Sequence, residues 1–320
     1  MLSRVDLPLR RAYHPIGFQL QLATNSDDVL DAARECWSSY ELEFNSEPME
    51  LRVVVGAEGR VARQPCFRIY RHLMSVVSDA HNSAAVDLGA LVASIYVSKE
   101  TASNHSLFRW FFLESIVYTL LAQRYVAPLH AATIARSRTG ILLCGASGAG
   151  KSTLAFAAAC AGWTFLSDDC TWLLADSSDA TAIGKPHQVR FRADAPNLFP
   201  RLAEYSARER PNGKIGIELP MEAFPEIPTA LHCRLGGMVW LDRRRAARPS
   251  IEPVEPIEAV RQILNSSSYG REVDTMHAKA AQRLLYLPAC RLQYEALDDG
   301  LRLLAEFGAT VGARAAGGTA

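Results

Sequence analysis

Lysine is scarce in this chain of 320 residues, with five lysines against 29 arginines. The imbalance reads as a usage bias, and it makes a lysine at a special position more informative. Surplus charge is missing too, because 34 basic residues meet 34 acidic ones. A chain without net charge offers no global electrostatic case for nucleic acid or for a membrane surface. The seven cysteines are odd in number, irregularly spaced and never arranged as C-x-x-C. They suit reduced thiols in a cytoplasmic protein, not a disulfide framework or a zinc site. The eight histidines never form H-E-x-x-H. The most apolar long stretch, Phe108 to Ala122, carries Arg109 and Glu114 and is too short to span a bilayer. The first residues, Met1 to Asp6, lack the apolar core of a signal peptide. What remains is 49% apolar and 21% charged, enough for a real core in one large domain or two modest ones.

One stretch stands out against that background. Ile141-Leu-Leu-Cys144 reads as a buried strand, and Thr153 to Ala161 reads as an alanine-rich helix. Between them Gly145-Ala146-Ser147-Gly148-Ala149-Gly150-Lys151-Ser152 fits G-x-x-x-x-G-K-[ST]. Glycines let backbone N–H groups turn inward around a phosphate chain, and the helix N-terminus adds partial positive charge. Lys151 is placed to reach the outer phosphates, Ser152 to set its hydroxyl on a magnesium ion, and Thr153 to open the helix. With five lysines the pattern would arise by chance in roughly a few chains per thousand. The sequence therefore predicts an ATP–magnesium phosphate site over Gly145 to Thr153.

Upstream, the apolar run Ala127 to Ala135 contains His130, and the polar turn Arg136 to Gly140 leads into the glycine loop's strand. This reads as a β-hairpin feeding the loop. Taken alone, His130 is more often a hydrogen-bonded core histidine than a catalytic one. Downstream, Gly162 ends the helix and Trp163 to Ser167 forms a strand, with Asp168-Asp169 at its carboxyl end. Ligands of open α/β sheets bind at that edge. One carboxylate there can hold magnesium and the other can take the proton of an attacking hydroxyl. The bland alternative is a solvated strand end.

Further on, Lys185, Arg190 and Arg192 alternate along a candidate strand and divide evenly between phosphate contact and surface solvation. Gly236 to Asp242 is a second strand-then-acid element, with Asp242 a candidate beside magnesium. The run Arg243-Arg244-Arg245 offers a cation to a transferring phosphoryl group, or an exposed basic turn. Residues 1–104 alternate short strands and helices without a catalytic constellation and read as a small α+β domain. Strands are expected at Gly17 to Leu22, Leu51 to Gly56, Cys66 to Ile69 and Val92 to Val97, with a helix from Ser26 toward Trp37. Ser106 to Arg124 reads as an amphipathic helix with Phe108, Phe112, Ile116 and Leu120 on its buried face. It opens the nucleotide domain at 105–310, and 311–320 is expected to fray.

From Leu129 to about Leu174 the order of features resembles HPr kinase/phosphorylase and its relatives. Leu129-His130, a hairpin, an apolar strand, G-x-S-G-x-G-K-S, a short helix, Gly162, a strand and Asp168-Asp169 all occur in sequence. Lys151 precedes Asp168 by 17 residues. A helix and a strand fill that interval with nothing left over, whereas most P-loop ATPases place the acidic strand much later. The resemblance implies an α/β fold, the P-loop core of the phosphoenolpyruvate-carboxykinase and HPr-kinase type with a mixed sheet, behind the small α+β domain. It implies Asp168 as base toward a serine-like hydroxyl, His130 in the phosphate pocket, and Arg243 or a neighbour as the family's later arginine. Magnesium would sit on Ser152 and Asp169. Residues 1–100 do not match HPr kinase, nor does any glycine-rich signature lie between Ala175 and Arg234. The expected activity is an ATP- and magnesium-dependent kinase acting on a hydroxyl of a peptide, protein or small molecule. The alternative is a nucleotide-responsive accessory module of a peptide-modification system that transfers nothing. Oligomeric state is left open.

Overall fold

In a computed structural model, residues 5–243, 248–257, 260 and 271–317 are described. The chain divides into two compact units. The first is Met1–Tyr125 with Glu209–Lys214 and Tyr269–Val273, and the second is Val126–Arg208, Ile215–Ser268 and Asp274–Ala320.

The first unit is built on a seven-stranded sheet. Its strands are β1 (Leu9–Tyr13), β2 (Leu20–Thr24), β3 (Met49–Gly56), β4 (Cys66–Tyr70), β5 (Leu73–Asp79), β6 (Asn82–Asp87) and β7 (Val92–Ser98), in the spatial order β1-β2-β3-β7-β6-β5-β4. The central strands β2, β3 and β7 run parallel, and the flanking pairs are antiparallel. The helix Asp27–Trp37 begins with two acidic residues, which suit the positive end of the helix dipole, and buries Val29, Leu30, Ala33 and Trp37. The expected strands are present, whereas β1, β5 and β6 were not foreseen. β5 and β6 are joined by Ala80-His81, which carries no Asn-Gly or Asp-Gly hairpin signal.

Lys99–Ser103 is a short helix, and after the break at Asn104 the run His105 to Arg124 is helical, with a π-turn over Arg109–Glu114. Phe108, Phe112, Ile116 and Leu120 are all fully buried, as their spacing predicts. The expected boundary after residue 104 is displaced, because this helix belongs with the first unit. Polar contacts explain the placement: Arg109 and His105 both hold Glu35, Ser103 donates to Asp28, and Arg124 pairs with Glu47.

In the second unit, β8 (Val126–Leu129), β9 (Ala132–Arg136), β10 (Thr139–Cys144), β11 (Thr164–Ser167), β12 (Thr171–Leu174) and β13 (Thr181–Ile183) join a mixed nine-stranded sheet. After β14 (Gln188–Arg192), β15 (Arg208–Glu209) and β16 (Ile215–Pro220), the sheet is completed by β17 (His232–Arg243), β18 (Ser250–Pro253) and β19 (Ala289–Tyr294). The expected hairpin is β9–β10, in register from Thr139 opposite Arg136 to Leu143 opposite Ala132. Alternation along β10 splits its side chains between two cores. Ile141 and Leu143 pack with the helix Lys151–Cys160, and Leu142 and Cys144 pack on the opposite face.

Strand direction decides where the site lies. β10 is antiparallel to β9, and β9 is antiparallel to β11, so β10 and β11 point the same way. β17 runs parallel to β10, and β19 runs parallel to β17. The carboxyl ends of β10, β11, β17 and β19 therefore share one edge of the sheet, together with the start of β9.

The expected tail at 311–320 is overturned for its first part, because the helix Leu297–Gly317 continues through it. Gly236 and Gly237 on β17 leave room for Phe307 and Val311 of this helix, and that close packing holds its second half down. Residues 318–320 lie outside the described residues.

Candidate functional site

The glycine loop leaves the end of β10 and closes into the helix Lys151–Cys160. Gly148 (φ 88°) and Gly150 (φ 95°) sit in the left-handed region, where a side chain would be strained. Ala146, Ser147 and Gly148 are exposed at the tip, and the Ala149 N–H donates to the Ala146 carbonyl. Lys151 is buried to 6% exposure and donates from Nζ to the carbonyls of Gly145 (2.9 Å) and Ala146 (3.4 Å). Burial holds its ammonium below the usual lysine range, and nearby Asp169 opposes that shift. Ser152 Oγ donates to the Asp168 carbonyl at 3.2 Å, tying the helix start to the end of β11. Thr153 is half-buried in the first turn of the helix.

Two chain corners meet beside this loop. β8 turns into β9 at His130, and β11 turns into β12 at Asp168 to Cys170. β9 pairs with β11 and β8 pairs with β12, placing Ser167 opposite Thr133 and Thr171 opposite Leu129. The two corners must therefore coincide. Their backs are joined by a buried hydroxyl chain: Thr171 Oγ1 lies 2.7 Å from Thr133 Oγ1 and 2.8 Å from Ser167 Oγ, and donates to the Ala131 carbonyl. His130 Nε2 stands 3.0 Å from Asp169 Oδ1. That hydrogen bond, more than any other influence, holds the Asp169 carboxyl below its usual range, with Lys151 and Arg190 assisting. Removing it by His130→Ala should move the Asp169 pKa upward toward 3.8, read from the carboxylate carbon shift in an NMR titration. An unmoved Asp169 would show that the lysine, not the histidine, sets its charge.

Asp168 behaves in the opposite way. It is only 7% exposed, and its Oδ2 accepts the Arg190 backbone N–H at 2.8 Å. Burial raises its pKa from 3.8 to about 6, with Arg190 lowering and Asp169 raising it. Adjacent carboxylates with one raised and one lowered pKa are a familiar way of dividing proton transfer from ion binding.

β14 and the later strand ends complete the edge. The guanidinium of Arg192 covers Gly148 so closely that a Cβ there would stand 2.9 Å from Nη2. Arg190 instead turns its side chain to Glu218 at 2.8 Å. Tyr294, at the end of β19, sets its hydroxyl 3.1 Å from where a Gly150 Cβ would lie. Arg243 is in register with Tyr294 and opposes the burial that pushes the Tyr294 hydroxyl up to about 12. The edge thus gathers Gly145 to Ser152, His130, Asp168 and Asp169, with Arg243 directly opposite Tyr294. Asp242 takes another direction, its Oδ2 accepting from Gln293 Nε2 at 3.1 Å. Arg244 and Arg245 lie outside the described residues. Arg192 was one of three basic candidates with nothing to separate them, and Tyr294 carried no signal beyond its strand.

The family model described as SynChlorMet cassette protein ScmC matches residues 96–186, a stretch containing the histidine corner, the glycine loop and both aspartates. No curated protein matches the chain. Among solved structures, the Hpr(Ser) kinase/phosphatase from Coxiella burnetii is similar over 57% of this chain and 93% of its own. It shares 12% identity with a TM-score of 0.30, a likeness that carries no argument about activity. Among the described residues no helix is long and apolar enough to cross a membrane.

Proposed function

We propose that the second unit, a P-loop core of the HPr-kinase type, transfers the γ-phosphoryl group of ATP to a hydroxyl of serine type. The observation that carries this reading is the convergence of Lys151, Asp168, Asp169 and His130 on one sheet edge. The fit to a triphosphate rests on the loop itself. Two glycines there hold left-handed backbone, the conformation from which successive N–H groups can turn toward an anion, and a buried ammonium lies folded onto the loop's own carbonyls. In use Lys151 exchanges those carbonyls for phosphate oxygens, and Arg192 adds a second cation over Gly148.

Ser152 and Asp169 are the groups that would hold magnesium, which supplies charge neutralisation on the phosphate oxygens when bound. Among the described residues no group of three or more His, Cys, Asp or Glu is arranged for a metal. Magnesium needs only one or two protein ligands beside phosphate and water. Asp168 accepts the proton of the acceptor hydroxyl as its oxygen bonds to phosphorus and the bond to the departing ADP oxygen breaks. His130 keeps Asp169 ionised and oriented. Arg243, opposite Tyr294, would supply a further cation to the outer phosphates.

The test is incubation with γ-labelled ATP and a panel of serine and threonine peptides. Label in a peptide supports transfer, whereas ATP binding without transfer to any member favours an accessory module that only senses nucleotide. Arg192→Ala should lower kcat/KM for ATP by about tenfold to a hundredfold, because it removes one charge-assisted contact. Unchanged steady-state kinetics would remove Arg192 from the site.

A further inference from the structure

We infer that the β4 edge of the first unit docks an extended acidic segment of another polypeptide by strand addition. Among the described residues β4 pairs on one side only, with β5, and all five of its residues are exposed. A free edge presents a row of backbone donors and acceptors and is normally guarded by charge or cover. The opposite edge of the same sheet follows that rule, since β1 reads Leu9-Arg-Arg-Ala-Tyr13 with both arginines exposed. β4 reads Cys66-Phe-Arg-Ile-Tyr70 and leaves apolar side chains at the rim.

The register shows what an added strand would complete. Two buried rows run across the inner face. Ile95, Ala84 and Val76 end at Phe67, and Ala93, Val86 and Met74 end at Ile69. The inner members of both rows are no more than 6% exposed, but Phe67 and Ile69 are 43% and 42% exposed. A new strand with apolar residues at alternate positions would extend both rows and cover these two side chains.

Charge selects the occupant. Arg68 is the central residue of β4, and Arg63 and Arg71 stand just beyond its ends, all three exposed. Arg71 also lies over the exposed Tyr70 ring, 5.7 Å from its centroid. The neighbouring carboxylates are engaged. Asp79 accepts from Asn82 and the His81 N–H, and Asp87 accepts from the Gly89 and Ala90 N–H groups. A second copy pairing antiparallel about the strand centre would put Arg68 opposite Arg68, and like charges directly opposite are destabilising. An extended segment with acidic residues between its apolar ones meets the arginines and continues the rows at once. This site does not depend on phosphoryl transfer, so either proposal can fail without the other.

The test uses the full chain and a labelled nine-residue peptide of alternating valine and glutamate, followed by fluorescence anisotropy. Saturable binding is expected, weakened about tenfold or more by Arg68→Glu and by raising salt from about 50 to 300 mM. The valine–lysine counterpart should fail with the native chain and bind the Arg68→Glu, Arg71→Glu variant. Hydrogen exchange should slow at residues 66–70 on peptide addition. Circular dichroism keeps the variants interpretable, and Ile69→Asp supplies a second one if Arg68→Glu misfolds. Absence of binding, or equal binding of both peptides, overturns the proposal. So does a solution dimer that β4 substitutions dissolve, because the edge would then belong to a second copy.

Discussion

Asp168→Asn is expected to abolish phosphoryl transfer while leaving ATP affinity nearly intact and making the protein more stable at neutral pH. Loss of a positioned general base costs about 10²- to 10⁴-fold in rate. Asparagine keeps the shape and an oxygen for the Arg190 N–H, so the corner should survive the change. The stability effect follows from the raised pKa. Between 3.8 and about 6 the folded chain holds a proton that the unfolded chain has released, so stability falls as pH rises through that window. Above it the buried carboxylate costs on the order of 3 kcal/mol, which asparagine does not incur. Thermal melts at pH 7 should show the variant melting higher, and the advantage should vanish near pH 4. For the native chain, kcat/KM should climb with pH through about 6 as Asp168 ionises. Native-like turnover by the variant would remove Asp168 from the proton's path.

The second large effect is at Lys151. Lys151→Met keeps the apolar stem that lies under the loop and deletes the ammonium that holds the Gly145 and Ala146 carbonyls. ATP affinity should fall about 100-fold, near 2.7 kcal/mol, the scale of one or two charge-assisted hydrogen bonds to phosphate. Titration calorimetry reads this directly, and AMP, which lacks the outer phosphates, should lose much less. Equal losses for ATP and AMP would mean that the loop had collapsed, not that a phosphate contact had gone.

Much of the local structure was legible because short-range chemistry decides it. The glycine spacing of 145–150, the acidic start of the helix at Asp27, and the helical spacing of Phe108, Phe112, Ile116 and Leu120 act over a few residues. Each emerges close to where the sequence puts it. Ranges failed where packing at a distance intervened. The helix ending at Arg124 joins the first unit through Glu35 and Glu47, far away in sequence. The helix begun at Leu297 runs past residue 311 because Gly236 and Gly237 admit Phe307 and Val311.

By itself the sequence determined the kinds of groups available: a glycine-rich loop with one lysine, a pair of adjacent aspartates, and a histidine before a hairpin. Only the tertiary structure decided their relations. Pairing β9 with β11 and β8 with β12 superposes two corners 38 residues apart, as the Thr133–Thr171 contact records. His130 thereby reaches Asp169 while Asp168 is carried into the interior. Opposite pKa shifts on neighbouring carboxylates then arise from burial on one side and a hydrogen bond on the other. Pairing of β14 with β16 sets Arg190 opposite Glu218, while Arg192 covers Gly148, a distinction two identical side chains in one strand could not announce. Residue type and spacing act locally, whereas solvent exclusion and strand register depend on the whole chain. For that reason the chemistry could be read early and its geometry could not.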